Sequence, residues 1–121
     1  MKEVIVPKVW GSERWLHNGP DYCMKQLFLE SGMQSSLHMH KIKRETFLVI
    51  FGTIELEYDG VVHRLTVGNY IDIEPFKYHR FRTLSKVALV VEASTTHDDA
   101  DVYRKEESGP WTSKQKLQDD E

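Results

Sequence analysis

The chain has 121 residues, 40% of them hydrophobic, a formal net charge of -3 at pH 7 and one cysteine. That length builds one moderate core with no room for a second domain, and the absence of any basic block excludes the electrostatic footprint of a nucleic-acid binder. No apolar run approaches the roughly 20 residues that span a bilayer, and Met1-Lys2-Glu3-Val4-Ile5 lacks the apolar stretch of a signal peptide, so the reading is a cytoplasmic protein with no membrane partner.

In chain order, Val4-Ile5-Val6 before Pro7 suits an edge strand that covers an otherwise aggregation-prone sheet border. Turn signals then recur at Gly19-Pro20, Gly32, Gly52, Asp59-Gly60, Gly68-Asn69 and Pro75 with short apolar runs between them. This regular spacing predicts an all-β sandwich or barrel. The predicted strands are Tyr22 to Glu30, Met33 to His40, Glu45 to Phe51, Thr53 to Tyr58, Val61 to Leu65, Tyr70 to Ile73, His79 to Thr83 and Val87 to Ala93. Asp59-Gly60 reads as a tight hairpin turn, because glycine supplies the positive φ such turns require. Cys23 reads as a buried strand residue; alone, it permits no internal disulfide.

After Ala93 the character changes. Thr95, Thr96 and the aspartates Asp98, Asp99 and Asp101 can cap a short helix ahead of Val102-Tyr103, and an acidic first turn suits its dipole. Those aspartates read as a solvated capping cluster. The domain is expected to occupy residues 1–104. From 105 to 121 the sequence is polar and charged, and it reads as a mobile tail with Gly109-Pro110-Trp111 as its anchor.

The chemistry concentrates around His38 and His40. On a strand, residues two apart point to the same face. Two imidazoles on one face, the Glu45 carboxylate five residues later and His79 on a distant strand would offer three nitrogens and one oxygen to a single cation. Such a set suits a divalent transition metal (Zn, Mn, Fe, Co or Ni) better than Ca or Mg, which prefer oxygen. A bare His-x-His is also what paired strand histidines on a solvent face look like.

The spacing Gly32-x5-His38-x-His40-x4-Glu45-x6-Gly52 resembles the first cupin motif, and Gly68-x6-Pro75-x3-His79 resembles the second. The second departs from the pattern in two places: Phe76 stands at the usual glycine, and no asparagine follows His79 at the expected position. The resemblance implies a double-stranded β-helix, the cupin jelly-roll barrel, with His38, His40, Glu45 and His79 as ligands to the metal. It also implies a homodimer, since small cupins commonly pair by exchanging or adding edge strands.

A wider resemblance, covering residues 10 to 104, is to the cupin domain of type II mannose-6-phosphate isomerases and related sugar isomerases. It rests on Trp10-Gly11, Tyr22-x2-Lys25, Gly52-Thr53, His79-Arg80, Glu92 and Asp98-Asp99 with Arg104. It departs where that domain carries glutamine, since His38 occupies the position, and at Ala93-Ser94-Thr95. Aldose–ketose isomerisation needs Lewis-acid stabilisation of an enediolate and groups that move protons between adjacent atoms. The resemblance therefore implies a sugar or sugar-phosphate substrate, with Lys25 and Glu92 as proton-transfer residues and Lys43 or Arg80 holding an anionic group by charge-assisted bonds. Each also has an ordinary reading, as a rim charge or one end of an ion pair. Most of the aromatics belong to the core by strand alternation, while Tyr58 and Tyr70 are candidates for hydroxyls aimed at the metal. His17, His63 and His97 read as exposed or structural. Two alternatives share the ligand set: a metal-dependent dioxygenase and a non-catalytic sugar-binding cupin.

Overall fold

The computed structural model describes residues 4–111. In chain order the strands are β1 (Val4–Lys8), β2 (Gly11–Asn18), β3 (Cys23–Glu30), β4 (Met33–Gln34), β5 (Leu37–Met39), β6 (Glu45–Phe51), β7 (Thr53–Tyr58), β8 (Val61–Thr66), β9 (Tyr70–Ile73), β10 (His79–Thr83), β11 (Val87–Ser94), β12 (Tyr103–Glu106) and β13 (Gly109–Pro110). They form two sheets with antiparallel pairing throughout. One is six-stranded in the order β1-β2-β3-β11-β6-β9; in the other, β10 pairs with β4 and β5 on one side and β7 on the other, β8 flanks β7, and β12 and β13 lie along β5 and β4. The all-β architecture expected from the turn spacing, and the double-sheet jelly roll that the resemblance implied, are the fold observed.

Alternation along the strands decides what faces the interior. On β3 the inward residues are Cys23, Lys25, Leu27 and Leu29; on β6 they are Glu45, Phe47 and Val49; on β11 they are Ala88, Val90 and Glu92. Cross-strand register places Glu92 opposite Lys25 and, on the other side, Phe47. The inner face is therefore divided. One end holds the apolar core of Leu27, Leu29, Val49, Ile54, Leu56, Ala88 and Val90, closed by Trp10 packed edge-on against Phe81 at 4.9 Å between ring centroids. The other end gathers Lys25, Glu45, Glu92 and the histidines. A polar cluster there is sustainable only if its members satisfy one another.

Two turns position this arrangement. Asp59 and Gly60 both take positive φ (50° and 81°) and close the β7–β8 hairpin with Tyr58 opposite Val61, as the Asp-Gly pair predicts. Gly52, at φ 80°, turns the chain from β6 into β7, and a Cβ there would lie 2.5 Å from Ser85 Oγ and 2.6 Å from the Val87 carbonyl oxygen. No side chain fits.

Three expectations change. Val4–Lys8 pairs with β2 of its own chain, a strand that the sequence reading did not anticipate. The short helix before Val102 is one 3₁₀ turn, Asp99–Asp101, capped by Asp98, whose carboxylate accepts the Ala100 N–H. The expected end of the domain at residue 104 is not an end of pairing, because β12 runs through Lys105 and Glu106, and Gly109–Pro110 pairs with β4. Beyond it, Trp111 stacks on the buried Arg82 guanidinium at 4.6 Å. The rest of the predicted tail, 112–121, lies outside the described residues.

Candidate metal centre

His38 comes from β5, His40 from the loop that follows it, and His79 from the start of β10, where register sets it directly opposite His38. Their ring nitrogens converge to within 4.8 Å of one another. Each imidazole is oriented from behind by a main-chain carbonyl. Nδ1–H of His38 donates to Ser36 O at 3.0 Å, that of His40 to Asp101 O at 2.8 Å, and that of His79 to Lys77 O at 2.9 Å. A carbonyl only accepts, so these bonds place a proton on Nδ1 of His40 and His79 and turn Nε2 toward the cluster; His38 Nδ1 also lies 2.8 Å from Ser36 Oγ. That is how protein metal sites orient histidine.

Burial, then the neighbouring His79 and His40, push the His38 pKa down to about 3. Burial lowers His40 as well. Both imidazoles are thus neutral at ordinary pH, the state in which they bind metals.

Glu45, the first residue of β6, projects into the same space. Its Oε2 lies 3.1 Å from His79 Nε2 and 3.5 Å from His40 Nε2. Burial alone would raise this carboxyl, but His79 and Lys43 outweigh it and keep Glu45 ionised, well below the usual carboxylate range. His79 Nε2 and Glu45 Oε2 are both buried without a hydrogen-bond partner among the described residues. Two lone pairs facing each other at 3.1 Å require a cation or a proton between them. With three imidazole nitrogens and a carboxylate as donors, the residues fit a transition-metal ion.

Behind the cluster lies a cavity of about 100 Å³. Lys43 is 3% exposed and bridges the two inward carboxylates, with Nζ 3.1 Å from Glu45 and 2.7 Å from Glu92. Burial opposes its charge, yet the two carboxylates dominate and raise its pKa. Glu92 moves the other way: burial, then the Glu45 charge, push its carboxyl up, with Lys43 opposing. Lys25 is 1% exposed; its ammonium sits 3.6 Å from Glu13 and 4.1 Å over the Trp15 ring.

The structure therefore gathers His38, His40, Glu45, Lys43, Lys25 and Glu92 around one cavity, and His79 adjoins it through its contacts with Glu45 and the other two imidazoles. Lys43, however, is committed to two carboxylates and is not a free cation for a substrate anion. Arg80 is not there at all. As the neighbour of an inward His79, it points to the outer face, where it pairs with Glu57 at 3.0 Å and Glu106 at 3.7 Å. Tyr58 stands beside His79 on the inner face, but its hydroxyl accepts the Glu74 N–H at 3.1 Å. Tyr70 is 68% exposed.

Sequence reasoning missed three residues here. His97 is half-buried in the cavity wall, with Nδ1 3.0 Å from Lys43 Nζ and Nε2 2.7 Å from Asp99. Glu13, on the unanticipated β2, lines the cavity too. Asp101 is no solvated cap: it is 7% exposed and bonded to the loop after His40. Each reaches the site from far along the chain, so no local spacing marks it.

Over residues 26–95 the sequence matches the cupin domain family. It is 30% identical over 86 residues to the alginate biosynthesis protein AlgA of Pseudomonas putida, a match covering 71% of this chain and 18% of that protein; the chain thus spans about a fifth of the curated relatives it matches. Its fold is similar to the capsular polysaccharide assembling protein CapF of Staphylococcus aureus, at a TM-score of 0.78 and 18% identity over 87% of this chain and 34% of that one. It is also similar to the oxalate decarboxylase of Bacillus subtilis, at 0.76 and 14% identity over 86% and 30%. At these identities the two solved structures share the fold.

Proposed function

This chain belongs to the cupin domain family, and on that premise we propose that it is a metal-dependent enzyme that interconverts an aldose and a ketose, free or phosphorylated. The observation that carries the reading is Glu92, a buried carboxyl with a raised pKa in the same cavity as His38 and His40, two of the three converging imidazoles. A carboxyl tuned upward is what proton transfer at carbon needs near neutral pH. The names of the relatives, which concern alginate biosynthesis and capsular polysaccharide assembly, support a carbohydrate substrate.

In this reading His38, His40, His79 and Glu45 hold one divalent transition metal. When bound, the ion supplies Lewis-acid stabilisation for negative charge on the substrate's carbonyl and hydroxyl oxygens. Glu92 takes the proton from the carbon beside the carbonyl and returns it to the adjacent carbon. Lys43, 2.7 Å from Glu92, fixes that carboxylate in place. Lys25 supplies and recovers the oxygen-linked proton, and the enclosing walls exclude competing water. With Lys43 and Arg80 engaged elsewhere, this reading assigns a substrate phosphate to Arg104 and to Lys8, whose ammonium is 4.0 Å from Glu13, both exposed in the cavity lining.

The test uses protein prepared without a metal-affinity tag, analysed for bound metal, then assayed on aldoses, ketoses and their phosphates with oxygen uptake followed. Aldose–ketose conversion that falls about 10²–10⁴-fold in Glu92→Gln would support the assignment. Oxygen consumption would move the assignment to a dioxygenase, and binding without turnover to a sugar-binding cupin. A homodimer completes the proposal, supported by an apolar row on the outer face of the six-stranded sheet, where register aligns Phe28, Leu89, Val91, Leu48 and Tyr70.

A further inference from the structure

The segment after the 3₁₀ turn crosses the cavity mouth with little apolar burial of its own. Every residue of β12 is exposed, while Val102, Arg104 and Ser108 line the opening. Hydrophobic burial cannot be what seats it. Instead the carboxylate of Asp101 accepts three consecutive main-chain N–H groups of the loop between His40 and Glu45: Lys41 at 2.9 Å on Oδ1, then Ile42 at 3.1 Å and Lys43 at 3.0 Å on Oδ2. Burial alone would raise this carboxyl, but the three N–H groups outweigh it and hold Asp101 below the usual carboxylate range. The main-chain oxygen of the same residue accepts Nδ1–H of His40 at 2.8 Å. One residue thus grips the loop that carries His40 and sets the orientation of its ring.

From this geometry we propose that Asp101 is a positioning residue that couples the C-terminal strap to the metal centre. Its side chain docks the strap on the 41–43 loop. Docking in turn holds His40 in the tautomer that turns Nε2 toward His38 and His79. β12 then lies along β5, with Arg104 opposite His38 and Tyr103 opposite Met39, so strap closure and centre assembly are one event. By linkage, metal loading must protect the strap as much as the strap favours metal. The consequence for metal affinity rests on the metal-binding reading; the geometry does not.

The experiment compares the full-length chain with Asp101→Asn, which keeps the main-chain carbonyl but offers an amide donor to N–H groups, and with Trp111→Ala. The second variant loosens the far end of the same strap, at Arg82, without touching the loop. Three readouts are taken: the His40 ring tautomer by nitrogen NMR of metal-free protein, amide exchange across β12, and Co(II) affinity with its visible spectrum. In Asp101→Asn the expectation is a mixed His40 tautomer, faster β12 exchange and a Co(II) affinity lower by about 10–100-fold, the range seen when an outer partner of a ligand is lost. Trp111→Ala should keep the wild-type tautomer and affinity. A single Nδ1–H tautomer with unchanged exchange in Asp101→Asn overturns the inference, as does an equal loss of affinity in Trp111→Ala, which would make the effect one of general stability. Wild-type protein that binds no Co(II) would defeat the metal reading, while tautomer and exchange still decide the role of Asp101.

Discussion

At the scale of single residues, the site is a set of groups whose protonation the surroundings have chosen. His38 carries the clearest consequence. Its folded pKa of about 3 lies below the value of about 6.5 in an unfolded chain. Between those values the unfolded chain binds a proton that the folded one refuses, so stability of the metal-free protein rises with pH across the window and is lost as pH falls through it. Thermal melts of metal-free protein should show a lower Tm at pH 5 than at pH 7, with a shallower pH dependence in His38→Gln; a flat profile in the wild type would contradict the buried neutral imidazole. Lys43 teaches the complementary lesson. Its identity suggested an anion-binding cation, but the two carboxylates within 3.1 Å leave that charge compensated.

The elements depend on a few backbone positions. Gly52 cannot be replaced cheaply, because its φ of 80° is strained for any side chain and the added Cβ would meet main-chain oxygen. Gly52→Ala should lose about 2–4 kcal/mol in denaturant melts. Phe76 occupies the position where the motif has glycine, and it holds φ 67° while its N–H reaches His40 O at 2.7 Å. Positive φ strains phenylalanine, and the side chain is 62% exposed, so little packing offsets the strain. Phe76→Gly relieves the strain but loosens the unfolded chain, and the two effects should cancel to within about 0.5 kcal/mol. Phe76→Val, β-branched at positive φ, should cost about 1–2 kcal/mol more. Denaturant melts on the pair decide whether strain or packing governs the turn. β12 shows why the strap escaped prediction: its residues are all exposed, so no alternation marks it. Pairing with β5 and the grip of Asp101 make it a strand.

At the scale of the whole molecule, the two outer faces differ. Arg80, Arg82, Glu55 and Glu57 cover β10 and β7 with ion pairs, whereas the outer face of the six-stranded sheet carries an apolar row of Phe28, Leu89, Val91, Leu48 and Tyr70 flanked by the Arg14–Gln26 and Thr46–Asp72 hydrogen bonds. Six strands spaced about 4.8 Å apart, each five or so residues long, present a face of roughly 400–500 Å². Two such faces approach the area of a specific weak-to-moderate interface. The protein should elute from sizing chromatography as a dimer at micromolar concentration, and Phe28→Glu should shift it to monomer. Monomeric wild type would rule this face out as a contact. Among the described residues no helix is long and apolar enough to cross a membrane.

By itself the sequence determined what is local and periodic. Strand alternation placed Phe47 and Phe81 in the core, Asp59-Gly60 closed a hairpin, and His-x-His put two imidazoles on one strand end, because a period of two and a φ sign are properties of neighbouring residues. Tertiary structure alone decided which charges meet. Arg80 was lost to the outer face by being one residue away from His79. Asp101 and His97 were won from positions more than fifty residues from the loop they touch. Side-chain identity gives the chemistry a group can perform, but pairing, burial and pKa depend on neighbours brought together only by the folded sheets, where a compensated cation and a free one are spelled by the same residue.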